Sequence, residues 1–315
     1  MMATPNYVDA FILAYTTGYA QVPQEKRNVF DGNIGMTALE GEQMSFDDIG
    51  ISTMRKKTTR FAKVEHTDND FRRRWLFPEF YYDSKLIDKQ DDIAQHTDPT
   101  GAFMTGQIYA VERQKRDIIL ASFDATVTGG KNPGDVSGGY TFTNTAISNA
   151  AGRTIVHDTK KDGTAGGVST GLSIEKLILI REKFATLGIE DGTAVNLCAS
   201  FRQKSDLLRE AEIQGTDTSE IKALVDGRID SYMGIKFVTT NAITQGTSND
   251  IDSDTNVYEC FAWIPEGITA AYHLAPKFRV DYLPDLVGDT WQIKVDFGAN
   301  AIRRHEDLVL KVECA

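Results

Sequence analysis

Residues 55–75 read RKKTTRFAKVEHTDNDFRRRW, eight Lys or Arg against three Asp or Glu. The stretch nets +5 in a chain of 315 residues whose formal net charge is −11, which leaves −16 on the other residues. Around it, residues 51–65 and 71–84 are two runs rich in Thr, Val, Phe, Trp and Tyr that flank the polar HTDND at 66–70. Two such runs about a polar turn predict a β-hairpin. Arms of about 14 residues give a ribbon reaching roughly 45 Å. Its alternation does not suit a half-buried sheet: Phe61 and Lys63 share one face, Phe71, Arg73 and Trp75 another. A two-stranded hairpin is marginal in water, so this one is expected to lie on an external surface.

Upstream, residues 1–45 read as an extended arm with one short amphipathic helix around Tyr7–Tyr19, punctuated afterwards by Gly32, Gly35 and Gly41. It holds too few apolar residues to fold alone and is expected to lie on something else. Downstream, Thr97 or Asp98 offers a helix cap, Pro99 suits the first turn, and Gly129-Gly130 supply a stop. Met104, Ile108, Val111, Ile118, Ser122 and Ala125 keep near-heptad spacing, with Lys115 interrupting. A helix from Thr100 to Val127 would span about 42 Å.

The rest mixes helix and strand patterns, which makes the chain α+β. A hairpin is expected between GYTFTN (139–144) and GRTIVHD (152–158). SIEKLILIREKFATLG predicts a helix capped by Ser173 and stopped by Gly188, and FRQKSDLLREAEI and SEIKALVDGRI predict two more. TAVNLCAS and GIKFVTTN read as strands, YECFAWIPEGITAAYH as two strands about a turn, and the tail from FRVDYLP onward as mostly strand.

Composition narrows function. Apolar residues at 41% and charged residues at 25% are ordinary for a globular protein. No apolar run is long enough to span a membrane, and the N-terminus lacks the basic-then-apolar order of a secretory signal. Cys198, Cys260 and Cys314 are few, odd in number and far apart, which predicts buried reduced thiols. Net acidity argues against nucleic-acid binding by the chain as a whole.

Motifs that could carry chemistry fail at their diagnostic points. Gly167-Val168-Ser169-Thr170-Gly171 fits G-x-S-x-G and precedes a helix, but it lacks the buried strand and oxyanion segment of a serine hydrolase. His273 and His305 could serve as its base, with nothing to mark either. Asp250, Asp252 and Asp254 open like a calcium loop, yet Thr255 stands at the glycine position and Phe261 at the bidentate glutamate position. GGKN at 129–132 is no phosphate loop, and the five histidines show no metal spacing. No cofactor and no metal are expected. The basic ribbon then has three readings: a solvated surface, a stacking platform for single-stranded nucleic acid through Phe61, Phe71 and Trp75, or a docking element for an acidic surface such as another copy of this chain.

The order of these elements resembles the major capsid proteins of tailed bacteriophages. RRRWLFPEFYYDSKLIDKQDDIAQHTDPTGAF (72–103) is similar to the junction between extended loop and spine helix, ALVDGRIDSYMGIKFVTTNAI (223–243) to the axial domain, and FGANAIRRHEDLVLKVECA (297–315) to the last strands. The resemblance implies an N-terminal arm at 1–45, an extended two-stranded loop at 46–90, a peripheral domain with the spine helix at 91–130 and 281–315, and an axial domain at 131–280. It implies a non-enzymatic protein that assembles with itself as hexamers and pentamers into an icosahedral virion shell around double-stranded DNA, built in the host cytoplasm. Expected partners are a separate scaffold protein, a portal and a cement protein, with no membrane. The loop residues Arg55, Lys56, Lys57, Arg60, Lys63, Arg72, Arg73, Arg74 and Trp75 are expected to contact a neighbouring subunit. Encapsulin-type nanocompartment shells share the fold type and are the nearest alternative; the serine hydrolase is an alternative of another class.

Overall fold

The computed structural model describes residues 21–50, 52–61, 63–64, 66–69, 71–88, 100–125, 127–130, 153–158, 167, 170–190, 192–213, 231–243, 245–246, 257–286 and 290–315. The expected helices at Tyr7–Tyr19 and 219–229, the GYTFTN strand and the caps before Thr100 lie outside them.

One long helix and one long hairpin set the frame. Helix α1 (Thr100–Asp124) packs against a four-stranded sheet of order β1 (Gly35–Ala38), β12 (Ile268–Leu283), β13 (Thr290–Arg303) and β4 (Phe80–Ile87). Strands β12 and β13 are antiparallel from Ile268↔Arg303 to Leu283↔Thr290, and β4 extends the sheet from Trp291↔Ile87 to Gly298↔Phe80. On the face toward α1, Ile293, Val295 and Phe297 are buried. The helix answers with Gln107, Val111, Ile118, Ile119, Ser122 and Phe123, while Ile108 is 45% exposed. Val111, Ile118 and Ser122 are buried as that spacing predicts, but Gln107 stands in the inward place expected of Ile108. Gln107 takes the inward position because its Nε2 can donate to the carbonyls of Asp83 and Ile293. The helix ends at Asp124, short of the glycines, because β5 (Thr128–Gly129) joins a sheet instead.

That sheet is β2 (Met44–Ile49), β3 (Phe71–Leu76) and β5. Its register corrects the ribbon. Strand β3 pairs with β2, Phe46↔Arg74 and Ile49↔Phe71 among the rungs, and not with 51–65. The described residues of 51–65 form no strand, and 80–87 pairs with β13, so the run from Phe71 to Ser84 is two strands in two sheets. Leu39, Phe46, Leu76, Val127, Ala271 and Ile302 form a small core that seats the ribbon base on the four-stranded sheet.

The other half is a sheet of order β6 (Thr154–Ile155), β14 (Val309–Cys314), β11 (Val257–Trp263), β7 (Val195–Ala199), β9 (Ile235–Thr239) and β8 (Ser231–Tyr232), with β10 (Gln245–Gly246) also on β11. Helices α2 (Ile174–Thr186) and α3 (Phe201–Ile213) accompany it. Ser173 caps α2 by accepting from the Lys176 backbone N–H at 3.3 Å, and Gly188 takes φ +82° just past its end, both as the sequence reads. The expected boundaries do not coincide with the division between these sheets. The 280/281 boundary falls within β12, and β14 returns to the second sheet, not to the first.

The arm from Gln21 onward is also corrected. Phe30 is fully buried and meets Phe123 at 6.0 Å and Trp263 at 5.7 Å between ring centres. Trp263 Nε1 donates to Asn33 O at 2.8 Å, Asn196 Nδ2 to the same carbonyl at 3.2 Å, and Lys236 Nζ to Asn33 Oδ1 at 2.7 Å. Strand β1 runs parallel to β12 of the same chain. The segment is part of the core, since its few apolar residues sit where helix and sheet meet. Cys198, Cys260 and Cys314 are free and buried, as expected.

Phe30→Ala is expected to lower the unfolding free energy of the monomer by about 3–5 kcal/mol, read from urea denaturation. A segment that met only sister molecules would leave that curve unmoved.

Candidate assembly interface

Charge and exposure coincide between β2 and β3. Residues 52–61 form neither helix nor strand, because β3 already pairs with β2 on one side and β5 on the other. Met54 is 102% exposed, Phe61 90% and Val64 81%. Arg55, Lys56, Lys57, Arg60 and Lys63 are exposed on the same stretch. Asn69 Nδ2 donates to Ser52 Oγ at 2.7 Å, which draws the two ends of the loop together. Full burial of a Met, Phe or Val side chain contributes roughly 1.5–3 kcal/mol each, and here that gain is unrealised within the chain.

The nine predicted contact residues divide into two groups. The five above lie on the exposed loop; Arg72, Arg73, Arg74 and Trp75 lie on β3. Acidic residues face this strand across the ladder, Asp48↔Arg72 and Asp47↔Arg73. Arg73 forks onto Asp47, Nε at 2.5 Å and Nη2 at 2.7 Å, and its donated hydrogen bond holds the Asp47 pKa below the usual carboxylate value. Trp75 Nε1 donates to Gly130 O at 3.0 Å, and the Arg73 guanidinium lies 5.5 Å from the indole centre. Arg74 points into its own body at 5% exposure. Its Nη1 donates to Arg303 O at 2.6 Å and to Glu306 Oε1 at 2.9 Å. Arg74 is therefore an internal anchor, not a surface for a neighbour.

Glu306 is the residue that sequence reasoning missed. Besides Arg74 it accepts from Arg303 Nε at 2.8 Å and Arg153 Nη1 at 3.4 Å, while Arg153 also pairs with Asp307. Arg303, fully buried, sends its Nη1 to Phe123 O at 2.6 Å, near the end of α1. One carboxylate thus ties the ribbon base, the helix end, the last residue of β13 and the strand before α2. Nearby, Asp48 meets Arg304 at 3.8 Å and His305 Nδ1 at 3.4 Å. The legible signal was FDDI at 46–49 opposite FRRRW at 71–75; nothing local marks Glu306.

Burial holds the His305 pKa below 6.5, against lifting by Asp48 and Glu266 and with further depression from Arg304 and Arg74. On acidification the unfolded chain binds this proton first, so His305 lowers stability as pH falls through that window.

The described residues around the remaining motifs make structural contacts. Ser169 lies outside the described residues, but its surroundings are stitched down. Gly167 N donates to Asp158 O at 2.6 Å and Thr170 N to His157 O at 3.1 Å. Lys176, 2% exposed, donates from Nζ to Thr170 O, Gly171 O and Glu313 O at 2.7–2.9 Å. His273 donates to Leu39 O at 3.0 Å. Asp250, Asp252 and Asp254 lie outside the described residues, among which no cluster of His, Cys, Asp or Glu could hold a metal.

A family profile described as phage capsid protein matches residues 8–315. No curated protein matches the sequence. Among solved structures, the cyanophage Pam1 capsid asymmetric unit is similar at TM-score 0.73 and 12% identity, over 100% of this chain and 99% of that one. The capsid of Ralstonia phage GP4 follows at 0.71 and 12%, over 96% and 94%. The capsid of a native GTA particle gives 0.64 at 9%, over 99% and 100%. At these identities the likeness is one of fold.

Glu306→Gln is expected to cost about 3–5 kcal/mol, since it strands two buried guanidinium groups, whereas Arg73→Ala should cost no more than about 1 kcal/mol; urea denaturation of each variant measures both. In thermal melts from pH 7 to pH 5, His305→Gln should flatten the fall in midpoint shown by the parent protein.

Proposed function

The chain belongs to the phage capsid protein family, so it is a structural, non-enzymatic component of the virion shell that assembles with copies of itself, and from that premise we propose how the copies hold together. The exposed loop between β2 and β3 lies over a neighbouring subunit. Arg55, Lys56, Lys57, Arg60 and Lys63 meet acidic side chains there, while Met54, Phe61 and Val64 lose their water. Arg72, Arg73 and Trp75 form the stem that carries the loop, with Arg72 exposed at its outer end.

What supports this reading is the loop itself: apolar side chains 81–102% exposed beside basic ones, in a chain whose other residues sum to −16. Exposed ion pairs contribute only about 0–1 kcal/mol each, so the charges set register and the apolar residues supply most of the attraction. Self-contacts of this head-to-tail kind close into rings, which accords with hexamers and pentamers in an icosahedral shell. In this reading the half built on β12, β13 and α1 is the peripheral domain and the half built on β7, β9 and β11 the axial domain. The shell encloses double-stranded DNA, and a separate scaffold, a portal and a cement protein are its partners. An acidic body suits a wall that must not hold packaged DNA tightly.

The combined substitution Lys56→Glu, Lys57→Glu, Arg60→Glu and Lys63→Glu is expected to leave the monomer's thermal midpoint unchanged and to abolish shells in negative-stain images. Normal shells from that variant would show that the loop is not the contact.

A further inference from the structure

Strand β4 is the outer member of the four-stranded sheet, and among the described residues no strand pairs with its far side. Ala299 N donates to Glu79 O at 3.0 Å, and β4 keeps unbroken register with β13 from Phe80↔Gly298 to Ile87↔Trp291. Backbone direction alternates along an antiparallel ladder. Odd positions therefore turn their N–H and C=O groups toward β13, and Phe80, Tyr82, Ser84 and Leu86 turn theirs outward. Such a row is a template for another strand, which edges commonly blunt with proline, a bulge or short length. The eight residues FYYDSKLI hold no proline, and their ladder has no bulge.

The side chains are as unfinished as the backbone. Phe80 is 63% exposed, Tyr82 79% and Leu86 56%, all on the face away from α1. On the other face Asp83 and Lys85 stand two residues apart, with 3.5 Å between their charged atoms. The helix packs over β12 and β13 and leaves these two an open groove.

We propose that β4 pairs antiparallel with β4 of a second copy about a two-fold axis at Ser84, joining two four-stranded sheets into one of eight. Outward positions must oppose outward positions, which leaves three registers centred on the charged stretch. With the axis at Asp83, the two Asp83 carboxylates face each other. With the axis at Lys85, the two ammonium groups do. With the axis at Ser84, Asp83 faces the partner's Lys85 and Lys85 faces the partner's Asp83. Like charges directly opposite destabilise a cross-strand pair and opposite charges stabilise one, so charge selects this register. Tyr82 then lies against the partner's Leu86, and both lose water.

A two-fold contact requires one patch to complement itself, and FYYDSKLI does so about its serine. A head-to-tail contact that closes rings cannot join one ring to the next, whereas this pairing can. It rests on self-assembly of the family and holds whether or not the loop contact is correct.

The test is a charge exchange in the full chain, read as shells in negative-stain images. Asp83→Lys and Lys85→Asp, each placing like charges on two rungs, are expected to lower the yield of shells roughly tenfold or more. The double exchange should restore the parent yield, and the monomer's thermal midpoint should stay in place throughout. In assembled shells of Ser84→Cys, mild oxidation should link copies in pairs on a non-reducing gel. Opposed outward residues lie about 5.5 Å apart between Cα atoms, within disulfide reach, and the native cysteines are buried. Tyr82→Cys alone should give no link. Single reversals that assemble like the parent, or a double exchange no better than the singles, would overturn the pairing. So would shells of Ser84→Cys that stay unlinked, or Tyr82→Cys shells that link as readily.

Discussion

A single carboxylate holds the architecture together. Glu306 accepts from Arg74, Arg303 and Arg153, which come from the ribbon base, the end of β13 and the strand before α2. Arg303 then reaches the last turn of α1 through Phe123 O. Buried guanidinium groups are tolerated only when paired and hydrogen-bonded, so these parts cannot shift independently without stranding a charge. The same anchors fix the ribbon base at β3, while Met54, Phe61 and Val64 beyond it stay exposed.

The same junction is reinforced by apolar contact. Phe30, Phe123, Phe261 and Trp263 bring the early segment, α1 and the second sheet to one point, with Phe123 stacked on Phe261 at 5.1 Å. Between β11 and β12 the chain changes sheets within Pro265-Glu266-Gly267. Gly267 is required there by crowding: a Cβ would come within 2.8 Å of Leu308. Its carbonyl accepts from the backbone of Arg304 at 2.8 Å, which binds the crossover to the turn that carries Glu306.

Much of this was legible locally. The stretch FRQKSDLLREAEI is α3 as read, and α2 follows from the Ser173 cap and Gly188. The strands β7, β9, β11 and β13 read from apolar runs. What failed depended on distant partners. Residues 51–65 have strand-like composition, but β3 pairs with 44–49, a choice made by Asp47 and Asp48 facing arginines and by Phe46 reaching the small core. Segment 21–34 looks too polar to fold, and it is ordered by a pocket assembled from Phe123 and Trp263, far along the chain. The basic loop was visible by charge alone; that Arg74 turns inward depended on a partner 232 residues away.

The loop's lack of strand or helix has a consequence for surplus copies. Lys56, Lys57, Arg60 and Lys63 stand on exposed backbone of the sort that peptidases selective for basic residues accept most readily. On the contact proposed above, a subunit whose loop is covered by its neighbour withdraws those bonds from attack. Incorporation would thus confer longevity, and orphaned molecules would be cleared by ordinary cellular turnover without a dedicated surveillance factor.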